Sequence, residues 1–153
     1  MTKFLGRTTW TDHWKPTRRP LLVVPVGACE QHGPHLPLDT DTRIAVALAN
    51  SLADKFDEGE LLVAPALGIT ASGEHASFPG TLSIGSEAME QVIIELVRSA
   101  DWSAGVVLVN GHGGNISALS AFLPDFAVDT GLTIRATTYF ELAQPAMPAI
   151  LED

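Results

Sequence analysis

The 153-residue chain has little cysteine, few basic residues and no long apolar run. Cys29 is its only cysteine, so no internal disulfide can form, which fits a reducing cytoplasm. Lys and Arg number 9 against 18 Asp and Glu, for a net charge of −9 and a sequence pI near 4.8. A phosphate backbone is repelled by such a surface, which argues against nucleic acid as a partner. Cationic or metal partners are favoured. No apolar stretch approaches the roughly 20 residues that cross a bilayer, so no membrane partner is expected. The opening MTKFLGRTTWTDHWKPTRRP lacks the apolar core of a secretory signal. Repeats, low-complexity segments and internal linkers are also missing. The rest is a globular composition, 46% hydrophobic and 18% charged. Its length suits one domain over residues 1–153, with 1–19 as a lead-in arm that packs on the body or on a neighbouring subunit.

Strand-like and helical patterns alternate. LLVVPV (21–26), LLVAPAL (61–67), GVVLVN (105–110) and LTIRATTYF (132–140) read as strands. Residues 41–56 place Ile44, Ala47, Leu48, Leu52 and Phe56 at helical spacing, with Thr40 or Asp41 able to cap the start. Ser86 is placed to cap a second helix over 87–102, and a third spans 115–131, with Pro124 expected to kink or end it. Residues 71–85 form a Gly/Ser/Pro loop longer than a connection needs. Such alternation predicts an α/β fold, a mainly parallel sheet with helices on both faces.

Parallel sheets bind ligands beyond the carboxyl ends of their strands, and two clusters fall there. Glu30 and His32 follow the first strand, at a spacing that points both side chains one way on extended backbone. Asp39 and Asp41 repeat that spacing just before the helix. The third strand ends in NGHGGN (110–115), with His112 at its tip and Asn115 placed to hold a loop. Imidazole nitrogen together with carboxylate oxygen suits Zn, Fe or Mn better than Ca or Mg. The ligands suffice for one divalent metal, and a shared carboxylate would serve two. Plainer roles compete: a surface ion pair for Glu30 and His32, a loop-stabilising role for His35, helix capping or orientation of His32 for Asp39, and a satisfied loop histidine for His112. Cys29 reads as packing, as do Trp10, Trp14 and Trp102. His75 beside Glu74 is a weak signal alone.

VPVGACEQHGPHLPLDTDTRIA, TASGEHASFPGTLSIG and VNGHGGN, in this order, resemble the creatininase (creatinine amidohydrolase) family. Within it they look most like the mycofactocin-system peptidase branch, which trims the C-terminal dipeptide from a ribosomally made precursor peptide. The resemblance implies a three-layer α/β/α sandwich, a ring-like homo-oligomer and hydrolysis of an amide C–N bond by metal-activated water. It implies Glu30, His32, Asp41 and His112 as ligands of two divalent metals bridged by Asp41, and Glu74 and His75 as catalytic polar groups of the 72–81 loop.

The sequence departs from the family pattern at Gly114, where creatininase itself carries a metal-binding Glu. Members with NGHGGN draw that Glu and a catalytic His from a later HAGxxET-type stretch, which this sequence does not contain. Glu141 is a weak substitute. Two other readings therefore stand beside the peptidase: a truncated, non-catalytic remnant or binding module of the same fold, and a hydrolase of a small cyclic amide or formamide.

Overall fold

The computed structural model describes residues 3–14, 18–130 and 134–138. Strands β1 (Leu21–Val26), β2 (Leu61–Val63), β3 (Gly105–Asn110) and β4 (Ile134–Thr138) form one sheet in the order β2-β1-β3-β4. Every pairing is parallel, with Val26 opposite Asn110 and Asn110 opposite Thr138. Helices α1 (Thr40–Ala53), α2 (Gly85–Ser99) and α3 (Ile116–Thr130) connect them.

Residue alternation along the strands feeds two cores. Val23, Leu61, Val63 and Val109 point to the face covered by α1, against Ala49 and Ala53. Leu22, Val24, Val26, Leu62, Val106 and Leu108 point to the other, against Met89, Ile93 and Val97 of α2 and Leu119 and Leu123 of α3. These are the three layers expected, and the hydrophobic strand sequences follow from burial on both faces. After β1 the chain crosses over α1 to β2, then returns over the opposite face to β3. The order therefore reverses between β1 and β3, and such a switch point opens a crevice at the strands' carboxyl ends.

Several local expectations change. The fully buried stripe of α1 is Asp41, Ala45, Ala49 and Ala53; Leu48 and Leu52 pack half-buried on the same core, while Ala47 and Phe56 are exposed. Alanines, not the larger residues, let this helix lie close to the strands. Neither Thr40 nor Asp41 caps it: Asp39 stands at the N-cap without a side-chain cap bond, and the Thr40 hydroxyl donates back to the Pro37 carbonyl. Strand β2 stops at Val63, two residues before Pro65, which has no N–H to donate. Ser86 lies inside α2, which starts at Gly85. The hydroxyl of Ser83 instead accepts from the Gly85 N–H, at 3.2 Å. Helix α3 continues through Pro124. Ser120, whose carbonyl loses its intrahelical donor there, is exposed, so water can serve it. The lead-in arm packs on the body. The Lys3 carbonyl accepts from the Val63 N–H at 2.8 Å, and Leu5 joins the core between the sheet and α2 and α3. Trp102 packs on that core, whereas Trp10 and Trp14 are exposed and meet edge to face.

Candidate metal centre

The sequence places Glu30 and His32 past β1, Asp41 in the first turn of α1, Glu74 and His75 in the long loop, and His112 past β3. The structure brings all six to one cleft of about 210 Å³ at the switch point. Two glycines make this possible. A Cβ on Gly27 would collide with the backbone of Thr42, and one on Gly111 with the Asp41 carbonyl. Without them the start of α1 could not rest on the ends of β1 and β3.

That contact sets Asp41 between two imidazoles. Its Oδ1 lies 2.8 Å from His32 Nε2 and its Oδ2 2.9 Å from His112 Nδ1. Each ring is tied to a backbone carbonyl through its other nitrogen: His32 Nδ1 to Glu30 at 3.2 Å, His112 Nε2 to Ala71 at 2.8 Å. A carbonyl oxygen can only accept, so those nitrogens carry protons and the remaining ones face Asp41. This is how metal-binding histidines are oriented. Burial pulls the His112 pKa down, but the Asp41 hydrogen bond, the Ala71 carbonyl and the Glu30 and Asp41 charges outweigh it. The net shift is upward, so proton and cation compete for this ring.

Glu30 is 5% exposed, with Oε1 3.3 Å from His112 Nδ1. Its Oε2 is buried and has no hydrogen-bond partner among the described residues. A buried carboxylate oxygen without a donor is costly, and a cation would supply the missing partner. Glu30, His32 and Asp41 form one group whose candidate ligand atoms lie within 4.8 Å of one another; Glu30, Glu74 and His112 form a second. The donor set and the orphaned oxygen both fit a divalent transition metal.

Asparagines that the sequence marks only faintly hold the frame. Asn115 Oδ1 accepts from the Ala71 N–H, and its amide donates to the Gly27 carbonyl and to Asn110 Oδ1. Asn110 in turn accepts from the His112 N–H and donates to the His112 carbonyl. The loop is further pinned by the Leu82 N–H donating to the Cys29 carbonyl. Cys29 is half-buried, its thiol directed at the Gly80 carbonyl.

Some candidates fall outside. Asp39 pairs with Arg43 at 2.8 Å on the exposed face of α1 and neither caps the helix nor orients His32. Once the helix starts, residues two apart no longer share a face, which splits Asp39 from Asp41. His35 is exposed. At Gly114 the space a side chain would need is taken by Glu74 and His112. Glu141 lies outside the described residues.

A family model described as "Creatininase: Creatinine amidohydrolase" matches residues 6–151. A mycofactocin precursor peptide peptidase of Mycolicibacterium smegmatis is 54% identical over 120 residues, covering 76% of this chain and 49% of that protein. One of Mycobacterium tuberculosis is 50% identical over 118 residues, covering 72% and 47%. The solved structure "Creatininase Mn" superposes with a TM-score of 0.77 at 23% identity, covering 99% of this chain and 63% of that one. The chain thus spans about half the length of the curated relatives it matches.

Proposed function

The chain belongs to the creatininase (creatinine amidohydrolase) family, and from that premise we propose that it is a metal-dependent hydrolase of a peptide C–N bond. Its substrate in this reading is the mycofactocin precursor peptide, from which it removes the C-terminal dipeptide. The observation that carries the reading is the pair of imidazoles on the two oxygens of Asp41, with the orphaned Glu30 oxygen beside them.

Glu30, His32, Asp41 and His112 would hold two divalent ions, Zn, Fe or Mn, with Asp41 between them. Such ions polarise a scissile carbonyl and make water nucleophilic near neutral pH. The protein orients them: the Glu30 and Ala71 carbonyls fix the rings, and the Asn110–Asn115 network fixes the β3 tip. The long loop closes one side of the cleft and brings Glu74 and His75 to face the substrate as catalytic polar groups. Phe78 and Leu82 of that loop stay exposed, as does Leu38, whose carbonyl accepts from the Glu30 N–H. Exposed apolar side chains on the segments that carry the cleft suit contact with an extended peptide.

The identity to the two named peptidases favours the peptide over a cyclic amide or formamide. A cytoplasmic location and a homo-oligomer belong to the same proposal; among the described residues no helix is long and apolar enough to cross a membrane. Incubating the metal-loaded chain with the precursor peptide and reading the products by mass spectrometry tests the function. Loss of the C-terminal dipeptide is expected. An intact peptide that nonetheless binds would favour a binding module, and turnover of creatinine or a formamide alone would move the substrate.

A further inference from the structure

Gln31 lies between the two ligand positions that flank it and has no part in holding metal, yet both ends of its amide are committed. Gly33, with φ at +72°, turns its N–H back onto Gln31 Oε1 at 3.0 Å. A backbone N–H only donates, so that end of the amide is the oxygen. The other end, the NH₂, lies 3.1 Å from His75 Nδ1. An amide nitrogen has no lone pair to offer, so Nδ1 must be the acceptor. In the neutral ring the proton then sits on Nε2. That nitrogen faces the cleft, 3.8 Å from Glu30 Oε1, and Phe78 meets the ring edge-on at 6.1 Å.

We propose that Gln31 is a positioning residue that locks His75 as the Nε2–H tautomer, making His75 a hydrogen-bond donor to the oxyanion that develops on the scissile carbonyl. This rests on the hydrolase reading above. A ring protonated at Nε2 is neither a base nor a metal ligand at that atom. In the reaction, the oxygen of water adds to the carbonyl carbon and the carbonyl π pair moves onto its oxygen, where the His75 N–H meets it. The C–N bond then breaks, the carbonyl re-forms, and the proton given up by the water goes to the leaving nitrogen. His75 keeps its own proton throughout, and donors of this type act by being in place before the charge appears.

The lock is read directly by long-range proton–nitrogen correlation of the imidazoles in the full chain, at about pH 9, where an ordinary imidazole is neutral. His75 is assigned by the signals lost in His75→Ala. The expected pattern is a pyrrole-like Nε2 and a pyridine-like Nδ1. Gln31→Glu keeps an acceptor for Gly33 but offers His75 no donor, so the proton should move to Nδ1. A wild-type ring protonated at Nδ1, or a pattern unmoved by Gln31→Glu, overturns the proposal even if the peptide is cleaved. On the precursor peptide, Gln31→Ala and His75→Ala should each lower kcat by about 10²-fold, with KM and bound metal little changed. The double variant should be no slower than His75→Ala, and additive losses would refute action through His75. An inactive wild type would count against the hydrolase reading, and the spectra would still decide the lock.

Discussion

Asp41 Oδ2 lies 2.9 Å from His112 Nδ1, joining the first turn of α1 to the tip of β3. The two residues are far apart in sequence, and Gly111 lets them meet, since its missing side chain is what allows the Asp41 carbonyl to sit on the strand end. Gly111→Ala should therefore lift α1 from β3. Overpacking of this kind costs about 1–3 kcal/mol, measurable by urea unfolding, and metal affinity should fall with it. Gly6→Ala is the control, because its Cβ would meet only Pro65 Cγ at 3.8 Å. Equal stability and metal binding in the two variants would separate the site from this contact.

Asn115 is fully buried and serves Ala71, Gly27 and Asn110 at once. Asn115→Ala leaves the buried Ala71 N–H without an acceptor and takes one donor each from the Gly27 carbonyl and Asn110 Oδ1, which keep Thr70 and the His112 N–H, at roughly 1–3 kcal/mol for an unsatisfied buried group. A loss of about 3 kcal/mol in unfolding free energy is expected, with weaker metal binding, because Ala71 and the His112 backbone lose their support. A change under about 0.5 kcal/mol, the level of an ordinary surface substitution, would contradict the network's role.

The raised pKa of His112 gives a pH dependence with a definite sign. A folded-state value above the ordinary 6.5 means that the metal-free fold gains stability from the protonated ring, fully present below 6.5. That gain is lost as pH rises through the folded value. Metal binding runs the other way, since cation and proton compete for Nδ1. The Tm of chelator-treated protein should fall as pH rises across this window, and more steeply than in His112→Gln, which corrects for the other histidines. Parallel profiles for the two proteins would refute the assignment.

The strands β1 and β3 were legible to the residue, because sheets buried on both faces read as unbroken apolar runs. The three layers followed from the alternation of elements. The gathering of Glu30, His32, Asp41, Glu74, His75 and His112 in one cleft followed from their placement beyond strand ends and from the family motifs. What the sequence hid is local and cooperative. Its larger apolar residues mark the stripe on α1 only in part: Leu48 and Leu52 pack half-buried on the core, while the residues buried fully are the small alanines. Asp39 and Asp41 looked like a pair until the helix turned them apart. Ser83, not Ser86, serves the start of α2, and the tethers on the His32 and His112 rings are backbone carbonyls, which leave no mark in a sequence. Gln31 carries a signal only once Gly33 is seen to turn back on it.

A divalent-metal site at Glu30, His32, Asp41 and His112 underlies the proposed hydrolysis. Its most direct test is metal per chain, by elemental analysis, in wild type and His112→Ala after loading with Mn or Zn and removal of free ions. Close to two ions per wild-type chain are expected, with His112→Ala losing most of them while keeping its fold by circular dichroism. A wild type that holds no metal, or a variant that holds as much as wild type, would contradict it.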